Sequence, residues 1–176
     1  MALSESAVAI VQRRYLNPDD VRPGLAARVL SRLVDRSGSL SSPYALQAVM
    51  NEEGAVRVTT AFILGLLSRV LLGRRGDFYR LAGPQASLVD DVTGTLPPFD
   101  KYIVLGPSRP QEVVERIRRA LGTETAIVDV NDLGGVRVVA ATRGVDHVRL
   151  TEALRSNPAG NADEQTPIVI VRGAAR

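Results

Sequence analysis

Apolar residues in this chain come in short bursts separated by turn-forming clusters, and the bursts differ in period. Ser6 to Leu16 (SAVAIVQRRYL) opens as a β-rich apolar run, which predicts a strand that the chain enters part-way, as if short at the front. Asn17-Pro18-Asp19-Asp20 reads as a turn. A helix is expected from about Pro23, with Leu25, Val29, Leu30 and Leu33 on one face. Ser37 to Ser42, with Gly38 inside it, is a small-residue linker. Ser42-Pro43 supplies a hydroxyl N-cap and a first-turn proline for a helix that Gly54 ends.

The next helix, about 56–72, is apolar nearly all round: Val58, Ala61, Phe62, Ile63, Leu64, Leu66, Leu67, Val70 and Leu71. Such a helix is expected to be buried on every side, either at the centre of the domain or in a subunit interface. Its most hydrophobic window is interrupted by Arg69 and is shorter than the ~20 apolar residues of a membrane span. A short strand is predicted from Phe78 to Leu81, and a loop rich in Gly, Pro and Asp from Gly83 to Asp100. Lys101 to Leu105 reads as a strand. Ser108 and Gln111 flank Pro110 as a capping box for a helix ending near Gly122. Thr125–Val130 and Val136–Thr142 read as strands, Asp146 caps a helix to Ser156, and Pro167–Arg172 closes as a strand. The pattern predicts one α/β (α+β) domain over 1–176, helical over about 17–76 and sheet-rich over about 77–173. Its C-terminal β-α-β-β-α-β order permits a mixed split βαβ sheet with helices on one face.

The absence of cysteine excludes a disulfide framework, a thiolate metal site and a cysteine nucleophile, and it points to a reducing compartment. The opening Met-Ala-Leu-Ser-Glu-Ser lacks the basic region of a secretory leader, so a soluble cytoplasmic protein without a membrane is expected. The net charge of +3 is almost all arginine, with Lys101 the single lysine. Aromatics are few and show no base-stacking pattern, which argues against a nucleic-acid partner.

No P-loop, nucleophile elbow or HExxH motif is present. The one histidine, His147, excludes a multi-histidine zinc site and reads as a surface residue beside Asp146. Carboxylates remain. Asp90-Asp91 lies in the long loop, and Asp129 and Asp132 lie where a strand runs into Leu133-Gly134-Gly135. Asp163-Glu164 precedes the last strand. Mg²⁺ and Mn²⁺ take oxygen ligands of this kind, usually one or two carboxylates with substrate phosphates and water. Asp and Asn beside glycine are also plain turn formers. Arg74-Arg75 after the hydrophobic helix suit a phosphate, and they equally complement the helix dipole.

The stretch IVLGPSRPQEVVERIRRAL (103–121) resembles a segment of the coenzyme F-420 (deazaflavin) γ-glutamyl ligases, the one after that family's first metal aspartate. IVDVNDLGG resembles the strand and turn that carry the second metal aspartate, and GNADEQTPIVIVRG (160–173) the closing motif. Residues 4–16, 22–33 and 75–98 are similar to related ligase-like proteins. The resemblance implies a GTP-dependent ligase that joins glutamate by its amine to the carboxylate of a deazaflavin precursor or related acid. It also implies an acyl phosphate intermediate, Mn²⁺ or Mg²⁺ at the phosphates, and an intertwined homodimer. The family's loop aspartate maps onto Asp90 or Asp91, the next onto Asp132 with Asp129 nearby, and its glutamine ligand onto Asn161. Where the family carries nucleotide-binding Lys, Ser and Lys on its first strand, this chain has Ser6, Ala9 and Ile10. The alternative is a non-catalytic or truncated paralogue acting as a homodimeric binding or regulatory module.

Overall fold

Three hydrophobic clusters organise the described residues, two on opposite faces of one sheet and one around a buried helix. In the computed structural model, residues 1–13 and 107–176 form one compact unit, and residues 14–106 form a second, inserted between them in sequence. The structure describes residues 1–34, 38–74, 76–90, 97–130, 135–160 and 166–172. The mixed α/β class, the helical N-terminal half and the C-terminal β-α-β-β-α-β order agree with the sequence pattern.

The first unit is a four-stranded sheet in the order β5-β4-β1-β6. Its strands are β1 (Ala2–Ser4), β4 (Ala126–Val130), β5 (Val136–Ala141) and β6 (Ile168–Val169). β1 runs parallel to β4 with Leu3 opposite Ile127 and Ser4 opposite Val128. β5 and β6 are antiparallel to β4 and β1 respectively. Both faces of β1 and β4 are apolar, so both must be covered. Leu3, Ile127 and Ala140 meet Val8 of α1 (Glu5–Val11) and Val113, Val114 and Ile117 of α6 (Pro110–Leu121). Ala2, Ala126 and Val128 meet Leu150 and Leu154 of α7 (His147–Leu154). Helices therefore lie on both faces of this sheet, where the sequence had suggested one.

Other local expectations are corrected here. The run from Ser6 is helical, because the strand is Ala2–Ser4 and the chain turns into α1 at Glu5. The capping box at Ser108 does not form. Arg109 occupies the N-cap position of α6 with φ 45°, and the Gln12 amide instead grips Ser108, accepting from its N–H (2.7 Å) and donating to its carbonyl (2.9 Å). Asp146 caps α7 as expected, accepting from the N–H groups of Val148 and Arg149 at 3.1 Å.

The second unit is built on α3 (Pro43–Glu53), whose Leu46, Ala48, Val49 and Met50 are buried. The Ser42 hydroxyl accepts from the Ala45 N–H, and Gly54 ends the helix at φ 92°. Around α3 pack α2 (Leu25–Leu30), α4 (Ala55–Leu72) and α5 (Asp77–Ala82). The predicted strand at 78–81 is thus a helical turn. Its geometry follows from Gly65: a side-chain carbon there would stand 2.8 Å from Phe78 Cβ, so only glycine lets α5 approach α4 this closely. The Ser68 hydroxyl donates to Asp77 and fixes the start of α5. On α2 the inward positions are Ala27 and Leu30, so of the face expected from sequence Leu30 packs inward while Leu25, Val29 and Leu33 are exposed.

A two-stranded ladder pairs β2 (Tyr15–Leu16) with β3 (Ile103–Val104) and continues through a bridge from Val104 to Asp90. Helix α4 departs most from expectation. Only Val58 and Ala61 are fully buried, because α3 and α5 cover a single side of it. By length and composition alone it is long and apolar enough to cross a membrane.

Candidate functional site

In the first unit, the carboxyl ends of parallel β1 and β4 lie side by side, and the chain leaves β1 directly into the first turn of α1. Ligands of open α/β sheets sit at this kind of edge, where loops and helix starts follow the strands. Ser4, Glu5 and Ser6 occupy the β1 side, with the Ser4 and Ser6 hydroxyls 3.4 Å apart and Glu5 buried. Asp129 occupies the β4 side, half-buried and one residue beyond the position paired with Ser4. Its register partner across the antiparallel ladder is Arg137.

Burial pushes the Asp129 carboxyl above the ordinary aspartate range, and the positive charge of Arg137 offsets part of that rise. A desolvated carboxylate at a strand end gains from a nearby cation, and here Arg137 across the ladder supplies that charge. Among the described residues, no group of three or more His, Cys, Asp or Glu side chains stands close enough together to hold a metal ion.

No family model, curated protein or solved structure matches this chain. The site therefore stands on its own residues. Of the positions singled out from sequence, Ser6 and Asp129 belong to the first unit, and Asp90 and Arg74 to the second. Asp91, Asp132, Asn161 and Arg75 lie outside the described residues, as do Asp163 and Glu164. Asp90 exchanges backbone hydrogen bonds with Val104 at 2.8 and 2.9 Å, so the strand bridge fixes its position. Arg74 follows the C-terminus of α4, where its N–H reaches the Ser68 carbonyl at 3.3 Å and its guanidinium lies 3.6 Å from Asp77. Its guanidinium is thus paired with the carboxylate at the start of α5. His147 is exposed at the first turn of α7, in keeping with a surface role.

Ser6 and Ala9 stand on α1 rather than on a strand, and Ala9 is fully buried. Sequence reasoning overlooked Glu5. Its signal was available: an acidic residue between two serines directly after an apolar triplet, where a strand hands over to a helix.

Proposed function

We propose that this chain is a ligase-like domain that joins an amino acid to a small-molecule acid through an amide bond, using GTP and a divalent cation, and that it works as a homodimer. The observation that carries the reading is Asp129, a desolvated carboxylate at the shared carboxyl edge of β1 and β4. It leads directly into the segment holding Asp132, the position that resembles the family's second metal aspartate. In this reading Asp129 and Asp132 would supply carboxylates to Mn²⁺ or Mg²⁺, the role the family resemblance gives them. A cation held there would neutralise charge on the nucleotide phosphates. The reaction transfers the terminal phosphoryl group to the acid's carboxylate. The amine of glutamate or a related amino acid then displaces phosphate, leaving the amide.

A second reading, a non-catalytic homodimeric module, is favoured by one observation. At the positions corresponding to the family's nucleotide-binding Lys, Ser and Lys, this chain places Ser6, the fully buried Ala9 and Ile10 along α1. A titration separates the two. GTP and ATP are each added with and without Mn²⁺ while thermal unfolding is followed, for the parent chain and for Asp132→Ala. A metal-dependent rise in melting temperature that the substitution abolishes supports the ligase. No rise at saturating nucleotide and metal rejects it and leaves the non-catalytic module.

A further inference from the structure

The least ordinary surface of the second unit is the outward side of α4. One side of this helix is fixed in place: Val58 and Ala61 are buried, Gly65 lies against Phe78, and Ser68 holds Asp77. At about 100° of rotation per residue, the opposite side carries Val56, Thr59, Thr60, Ile63, Leu66, Leu67, Val70 and Leu71. It carries no charge. Arg57 and Arg69 fall on its two flanks, where Arg57 is occupied by Glu53 at 2.8 Å and by the Leu81 carbonyl at 3.0 Å. Val56, Val70 and Leu71 are each more than 70% exposed, and Ile63, Leu66 and Leu67 about half.

From these exposures the six apolar residues of the face present on the order of 650 Å², just above the roughly 300–600 Å² of the largest patch on a typical monomer. That is within the range of roughly 600–1,000 Å² that each partner buries in a standard interface. We propose that the outward face of α4 is an isologous interface, packed against the same face of a second copy of this chain. The inference rests on the homodimer part of the proposed function and assigns its surface.

Two features select a second copy. The apolar positions 63, 66, 67 and 70 repeat at helical-seam spacing, so two such helices interdigitate about a two-fold axis without needing complementary charges. A bilayer span is disfavoured because α3 and α5 pack along the other side of α4 and bring Asn51, Glu52, Asp77 and Arg80 with them. Those groups would have to enter hydrocarbon, where each ionised group costs several kcal/mol.

The test uses the full chain. Its mass in solution is measured by light scattering after gel filtration, and that of Ile63→Glu and Leu67→Glu beside it, with circular dichroism confirming their helix content. The expected result is a dimer for the parent and half that mass for each variant. As a fold-neutral check, Leu67→Cys introduces the only thiol in the chain, and mild oxidation is expected to cross-link it. Val148→Cys, on the exposed side of α7, should not cross-link. A monomeric parent overturns both the homodimer and this surface. A dimer that survives both glutamates without cross-linking at Leu67 overturns the surface alone and leaves the homodimer standing. A monomeric parent that sediments with phosphatidylcholine vesicles overturns the proposal in favour of a membrane-facing helix.

Discussion

Asp129 on β4 stands opposite Arg137 on β5, and the pair is set at the end of the sheet where β1 and β4 run out together. Two forces act on the aspartate in opposite directions. Burial raises its pKa, and the arginine lowers it by less.

Removing Arg137 therefore leaves burial unopposed. In Arg137→Gln the Asp129 pKa is expected to rise further above the aspartate range, read as a shifted titration of its carboxyl carbon by NMR. An unchanged titration would mean that the arginine's charge does not reach the site.

The sign for stability follows from linkage. With a raised native pKa, the folded protein holds the Asp129 proton more tightly than the unfolded chain, whose value is about 3.9. The stabilisation this brings is complete below that value and is lost as pH rises through the native pKa. Asp129→Asn cannot ionise, so it should be more stable than the parent at neutral pH, with the difference closing toward pH of about 4. Urea midpoints at unchanged slope measure this. If the ligase reading holds, adding Mn²⁺ with nucleotide reverses the order, because only the parent gains a ligand. At 100 times its dissociation constant that gain is about 2.7 kcal/mol, worth roughly 2–4 °C per kcal/mol for a chain of this size.

Glu124 behaves in the opposite sense. The Thr142 hydroxyl donates to it, Arg118 pairs with it at 2.8 Å, and the Gly144 N–H donates at 3.0 Å, so its pKa is depressed. Its contribution is present above the unfolded value of about 4.3 and is lost as pH falls through the lower native value. Glu124→Gln should flatten the acid limb of the stability–pH curve. Added salt should weaken the exposed Arg118 part and leave the Thr142 part.

In the second unit, the buried Gln85 amide reads both polar groups of Gly106, accepting from its N–H at 2.9 Å and donating to its carbonyl at 3.5 Å. Gln85→Leu strands a buried N–H, with an expected cost of about 1–3 kcal/mol. Denaturant unfolding would show it. A loss below a few tenths of a kcal/mol would mean that water reaches Gly106.

Gly65→Ala should destabilise by about 1–3 kcal/mol through overpacking against Phe78. The same substitution at Gly122, where φ is 64° and nothing lies within 4 Å, tests backbone strain without a clash. If Gly65→Ala is neutral, α5 does not lie against α4 as closely as described.

Much of the fold was written locally. Ser42-Pro43 and Gly54 bound α3, Asp146 caps α7, and Gly122 ends α6 with a left-handed φ of 64°, because caps and glycines act on their own backbone neighbours. The antiparallel pairing of β4 with β5 was also legible, as two apolar runs close together in sequence. Asp129 was legible as a carboxylate at a strand end, but its raised pKa was not, since desolvation depends on what packs over it.

Only tertiary structure decided the rest. The start of the chain reads as apolar and β-rich, yet a strand of three residues suffices because β4 and β6 flank it, and the following residues are free to be helical. Phe78 to Leu81 is too short for period to separate strand from helix, and the contact with Gly65 settles it. The apolar circumference of α4 was plain in the sequence. Which side would be covered depended on where α3 and α5 dock, and composition carries no record of that direction.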